Sequence, residues 1–284
     1  MKVAILGSTG MLGSMVKRFL SQQSNYELIC PKRRSLNAEA PFLAPCLNDI
    51  LRGHDYAINC IGVIKPRIDE DDHASVERAV RVNSLFPQRL ASAAKLTGCQ
   101  VIQIATDCVY SGQGGGYVES SLHDATDIYG KTKSLGEVGS PNVHHLRCSI
   151  IGPEDAGRPK DSLLEWFLGQ PLGATVKGFT NHHWNGITTL AFARICHGIM
   201  KNRIALPPVQ HVVPRGLVTK AGLLRIFAYD FRKDINVDEV EAPAAVNRTL
   251  ASISPEINSA LWQAAGYHCP VTHNAMLYDL REYK

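Results

Sequence analysis

Tyr129 and Lys133 stand four residues apart in the stretch IYGKTK, shortly after a glycine-rich loop. On a helix, residues at i and i+4 share a face, which brings an ammonium near a phenol. A free phenol has a pKa near 10 and gives up its proton sluggishly at neutral pH, whereas a neighbouring cation stabilises the phenolate and brings that pKa down. The pair is therefore a candidate proton donor. The same spacing recurs at Tyr229 and Lys233, inside LLRIFAYDFRKDI, where Leu223, Leu224, Ile226, Phe227 and Phe231 form the apolar stripe of an ordinary amphipathic helix. Spacing does not separate the two copies, but what precedes them does. The apolar run QVIQIATD ends at Thr106 and Asp107, and a parallel sheet gathers ligand chemistry at the carboxyl ends of its strands. A hydroxyl at Thr106 is placed to meet a substrate; no such strand end or glycine loop precedes Tyr229.

A second constellation opens the chain. Directly after the apolar run KVAIL comes GSTGMLG, with Gly7, Thr9, Gly10, Met11, Leu12 and Gly13 spanning a turn and the start of a helical pattern. Backbone N–H groups and the positive end of a helix dipole there suit a pyrophosphate, and bare glycines let it approach. A turn without a ligand is the structural alternative. At the end of the next strand, where an NAD site usually carries an acid, the chain reads CPKRRS. Arg33 and Arg34 suit a ribose 2′-phosphate, which makes NADP(H) the expected coenzyme and NAD(H) the alternative; a solvated basic turn is the other reading.

These residues need a frame that holds them. Apolar runs at 2–7, 26–30, 56–62, 100–106 and 144–152 read as strands, with helical patterns over 75–97 and 128–139 between them. Strand and helix in alternation predict an α/β fold, a doubly wound parallel sheet covered on both faces. After residue 152 the rhythm changes to a loop over 152–161, short amphipathic helices and scattered prolines. The expectation is a nucleotide-binding domain over 1–152, joined by a segment returning near 180–202, and a smaller mixed substrate-binding region over 153–284.

Composition narrows the function. The 284 residues are 45% hydrophobic, ample for a packed core, and a net charge of +4 from 30 basic and 26 acidic residues is dispersed, unlike the stripe of a nucleic-acid binder. No apolar run reaches the roughly 18–20 residues needed to cross a bilayer, and no cleavage site follows the opening strand, so a cytoplasmic protein is expected. Eight cysteines lie far apart, and 11 histidines include no His-Glu-x-x-His, so neither disulfides nor a metal site is expected.

In combination and in order, GSTGMLG, ATDCVYSG, YGKTKSLGE and LRCSIIG resemble the extended short-chain dehydrogenase/reductase family, and within it the dTDP-4-dehydrorhamnose reductase branch. The likeness covers residues 1–152 and is sparse beyond. It implies a Rossmann-type fold, NAD(P)H, and reduction of a 4-keto-6-deoxy nucleotide sugar for surface polysaccharide. It casts Tyr129 as proton donor, Thr106 as hydrogen-bond partner of the ketone oxygen, and Lys133 as tuner of the phenol and holder of the nicotinamide ribose. It also implies that Cys60, Ile61, Gly62 and Asn83 line the coenzyme groove, with Asp49 near the adenine. Asp107, Val109, Trp184, Asn185 and Thr189 would join Thr106 around the substrate. Ile150 stands where the branch has a pocket tryptophan, and HHWNGITTL departs from the branch's Asp-Gln-x-Gly-x-Pro-Thr. Epimerisation or dehydration of a nucleotide sugar, and a non-catalytic NADP-binding regulatory subunit, remain as alternatives, and a homodimer is left open.

Overall fold

The structure, a computed structural model, describes residues 1–283 except 42, 43, 156, 158 and 159. In chain order the regular elements are β1 (Lys2–Leu6), α1 (Met11–Ser21), β2 (Glu27–Ile29), α2 (Ala44–Leu51), β3 (Tyr56–Asn59), α3 (His73–Val80), α4 (Phe86–Thr97), β4 (Gln100–Ala105), α5 (Ile128–Leu135), β5 (Val143–Arg147), β6 (Ile150–Ile151), α6 (Leu163–Leu168), β7 (Thr175–Phe179), β8 (His182–Trp184), β9 (Ile187–Thr188), α7 (Thr189–Asn202), β10 (Val209–His211), β11 (Val218–Thr219), α8 (Lys220–Asp230), β12 (Asn236–Val240), β13 (Val246–Asn247), α9 (Pro255–Ala264) and α10 (His273–Glu282). None of the described helices is long and apolar enough to cross a membrane.

Six strands form one sheet in the order β10-β5-β4-β3-β1-β2, every pair parallel. The order in which strands are added reverses between β1 and β3, and the crevice at the carboxyl ends beside such a switch point is where doubly wound sheets bind ligands. Both faces are covered, as the side chains of β1 record: Val3 and Ile5 join one core while Ala4 and Leu6 join the other. The first core also takes in α7, α9 and α10, including Phe192, Trp262 and Leu277, so the later chain shares the sheet's own interior.

Three departures from the sequence reading have physical causes. The helix expected over 75–97 is interrupted by a π-helical turn at Arg81–Leu85. Pro87 follows it, and proline has no N–H to give the carbonyl of Asn83 four residues earlier. The single strand expected over 144–152 is two: β5 stays in the main sheet, while β6 pairs with β9, because the chain leaves the sheet at Cys148 and Ser149 to line a cleft. The segment near 180–202 returns to the first domain as a helix, α7 packed on α1, and not as a main-sheet strand; β10 is the strand that joins. The expected loop over 152–161 includes Ala156, Arg158 and Pro159, which lie outside the described residues.

Candidate active site

A cleft of about 440 Å³ opens at the carboxyl ends of β1, β3 and β4. Its floor begins at the first turn. Gly7 adopts φ +80°, where a side chain is strained, and a Cβ there would come within 2.8 Å of Ile61. Gly13 lets α1 press against the turn, since a Cβ on it would collide with the Gly7 carbonyl. Gly10, by contrast, faces open space, with only Gly7 O at 3.7 Å from a Cβ placed there. Gly10, Met11 and Leu12 line the cleft, and the first turn of α1 contains no acidic residue. An uncharged helix N-terminus with uncrowded backbone amides fits an anionic pyrophosphate.

Beyond β3, Cys60, Ile61 and Gly62 form the next stretch of wall. Asn59 fixes this bend: its Nδ2 donates to Gln103 Oε1 at 2.7 Å and its Oδ1 accepts from the Ile61 N–H at 3.0 Å. Asn83 sits behind the wall at 2% exposure. Its amide accepts from Val63 N at 2.9 Å and donates to Val63 O at 3.0 Å, so it holds the groove's backbone and does not itself line the cleft.

At the end of β4, Thr106 and Asp107 line the cleft. Thr106 Oγ1 accepts from Cys108 N at 3.2 Å, capping a short 3-10 turn, and donates to Asp107 Oδ1 at 3.3 Å. Burial pushes the Asp107 carboxyl above its ordinary value. Helix α5 is anchored by Asp127, whose carboxylate accepts from Gly130 N at 2.8 Å and pairs with Lys65 at 2.9 Å, tying the helix to the loop after β3. Its face presents both Tyr129 and Lys133 to the same cleft.

The expected tuning of the phenol is corrected here. Burial drives the Tyr129 pKa up, the neighbouring Cys108, Asp107 and Asp127 push the same way, and Thr106 opposes them. Lys133 Nζ donates to Ile104 O at 3.1 Å, and burial lowers its own pKa against the pull of Glu137. One of the Lys133 donors thus goes to the end of β4.

The remaining wall comes from the later chain: Cys148 through Ile151, Glu154, Asp161, Leu163, Trp184, Lys220 and Leu223. The Trp184 indole is fixed by donation to Ser149 Oγ at 2.9 Å and by the His273 ring 5.2 Å away. Arg67, from the loop after β3, reaches Asp161 at 2.5 Å, joining the two sides of the cleft.

Several predicted residues lie elsewhere. Val109 is fully buried with Tyr110 and Leu250. Asn185 pairs its amide with the backbone of Leu250 at 2.7 and 2.9 Å, and Thr189 is fully buried where α7 begins. None of these three lines the cleft. Thr9 is exposed beside the turn, and Asp49 is exposed on α2, away from the cleft. Arg33 and Arg34 are exposed beyond β2; Arg33 pairs with Glu39 at 2.9 Å, a carboxylate that Arg78 also holds at 2.8 Å. Lys220 and Arg67 were missed. The N-cap pattern at Thr219 marks a helix start, but nothing local says that this start faces the cleft.

The chain resembles known proteins in two ways. Residues 1–150 match the family model of the RmlD substrate binding domain. Among relatives, methionine adenosyltransferase 2 subunit beta of Xenopus laevis is 29% identical over 142 residues, 48% of this chain and 41% of that protein. A dTDP-4-dehydrorhamnose reductase of Mycobacterium tuberculosis is 29% identical over 143 residues, 48% of this chain and 44% of that one. The chain thus spans less than half the length of the relatives it matches in sequence. Solved structures match nearly end to end: a dTDP-4-dehydrorhamnose reductase from Clostridium acetobutylicum has a TM-score of 0.78 at 19% identity, covering 99% of this chain and 98% of that one. A dTDP-4-dehydrorhamnose reductase from Bacillus anthracis in complex with NADP has a TM-score of 0.78 at 18% identity, with 98% of each chain covered. At such identities the likeness speaks for the fold. The family model, matching more than half of the residues, speaks for descent: the chain belongs to the RmlD substrate binding domain family of extended short-chain dehydrogenases/reductases.

Proposed function

We propose that the protein is an NADPH-preferring reductase of a 4-keto-6-deoxy nucleotide sugar, resembling dTDP-4-dehydrorhamnose reductase and serving surface polysaccharide synthesis. One observation carries the reading: Thr106, Tyr129 and Lys133 line the same cleft as the open glycine turn at Gly10–Leu12, beside the switch point of the sheet. The sequence match to a dTDP-4-dehydrorhamnose reductase supports it. A bound dihydronicotinamide supplies hydride. The turn at Gly10–Leu12 holds the coenzyme's pyrophosphate, Lys133 its ribose, and Arg33 and Arg34 the 2′-phosphate. Thr106 donates to the ketone oxygen as negative charge builds there. Tyr129, kept protonated by its surroundings, delivers the proton that completes the alcohol. Trp184 and Ile150 bound the sugar.

NADPH oxidation measured against a panel of 4-keto nucleotide sugars tests this directly. Turnover with one member is expected, and no turnover with any of them ends the reading. A second reading, an NADP-binding regulatory subunit without turnover, is favoured by the match to methionine adenosyltransferase 2 subunit beta. Stoichiometric NADP binding with a silent panel and a copurifying partner is the result that selects it.

A further inference from the structure

We propose that Lys220 anchors the diphosphate of the sugar nucleotide on the C-terminal wall of the cleft, an assignment that rests on the nucleotide-sugar reading above. Lys220 is the first residue of α8 and lines the cleft with Trp184 and Leu223. The other described cations of the cleft are engaged: Arg67 pairs with Asp161, and Lys133 donates to Ile104 O. The Lys220 ammonium has neither a hydrogen bond nor an ion pair among the described residues. Burial alone acts on its ammonium, lowering the pKa, with no carboxylate near enough to restore it. A partly desolvated cation facing a cavity is unfavourable until an anion joins it.

The helix behind it adds to the same preference. Lys220 and Leu223, one turn apart, both face the cleft, so the positive end of an 11-residue helix lies at this wall, and its first turn contains no acidic residue. A neutral keto sugar offers nothing to such a site, whereas the diphosphate linking sugar to nucleoside carries the charge it lacks. The coenzyme's own pyrophosphate is met by a different helix end, that of α1.

Calorimetric titration of the full chain and of Lys220→Met and Lys220→Arg with UDP, dTDP, uridine, thymidine, UDP-glucuronic acid and NADPH tests the assignment. The expected result is that Lys220→Met binds UDP and dTDP roughly ten- to hundredfold more weakly, the range for a charge-assisted hydrogen bond. Lys220→Arg should stay within a few-fold of the parent, with nucleosides, NADPH affinity and the melting temperature unmoved. Equal diphosphate affinity in Lys220→Met overturns the anchor while leaving the nucleotide-sugar reading intact. A loss confined to UDP-glucuronic acid overturns it in favour of a carboxylate on the sugar, and a loss of NADPH affinity reassigns Lys220 to the coenzyme. A parent chain that binds neither UDP nor dTDP overturns both.

Discussion

Tyr129 with Lys133 and Tyr229 with Lys233 are the same pattern in two settings. The second pair lies at the end of α8, where the Tyr229 ring is 70% exposed and Lys233 Nζ sits 5.3 Å from its centroid, an ordinary surface cation–π contact. The first pair is drawn into a cleft, where the ammonium donates to a strand-end carbonyl and burial raises the phenol's pKa. The exposed copy stacks its lysine over its own tyrosine in water, while the buried copy shares a cleft with Thr106. Proximity in sequence therefore does not make the chemistry; the strand end and the glycine turn opposite do.

That contrast can be broken at its strongest point first. Tyr129→Phe should lower kcat for ketone reduction by about 10² to 10⁴, the usual loss of a general acid, with an unchanged melting temperature. Full activity in the variant would place the two tyrosines on an equal footing. Gly13→Ala attacks the setting of the active copy instead. Its methyl group meets a backbone carbonyl that has no room to yield, so a loss of about 1–3 kcal/mol in urea denaturation and weaker NADPH binding are expected. The double variant Arg33→Ala, Arg34→Ala should reduce the NADPH over NADH preference in kcat/KM by roughly tenfold, a single charge-assisted contact's worth. An unchanged ratio would mean that Arg33 serves Glu39 alone. The smallest effect belongs to the surface copy: Tyr229→Phe should leave turnover unaltered and stability within about 0.5 kcal/mol, as exposed substitutions generally do.

What the sequence disclosed was local. The glycine turn, the strands of the main sheet and the convergence of Thr106, Tyr129 and Lys133 follow from short patterns whose geometry is set by neighbours in the chain. What escaped depended on remote docking. Val109 and Asn185 sit next to the cleft residues Cys108 and Trp184 in sequence, yet the backbone turns both into packing against Leu250, far along the chain. Lys220 enters the site from α8 for the reverse reason. The direction of the Tyr129 shift was also missed, because desolvation depends on the whole enclosure and the helical spacing knows only the lysine.

The π-helical turn at Arg81–Leu85 has a consequence for how such a site changes over time. Asn83 grips Val63 on the coenzyme wall and donates to Thr132 Oγ1 at 3.2 Å, while Ser84 Oγ donates to Thr132 O at 2.8 Å on the helix that carries Tyr129. One widened turn thus ties the helix that carries Tyr129 to the cleft wall at Val63, and none of these four hydrogen bonds reaches Ile150, Trp184 or Lys220. On the reductase reading proposed above, variation on that wall would retailor which sugar is accepted without loosening the tie that holds Tyr129, so chemistry and selectivity would be inherited on separate pieces of the chain.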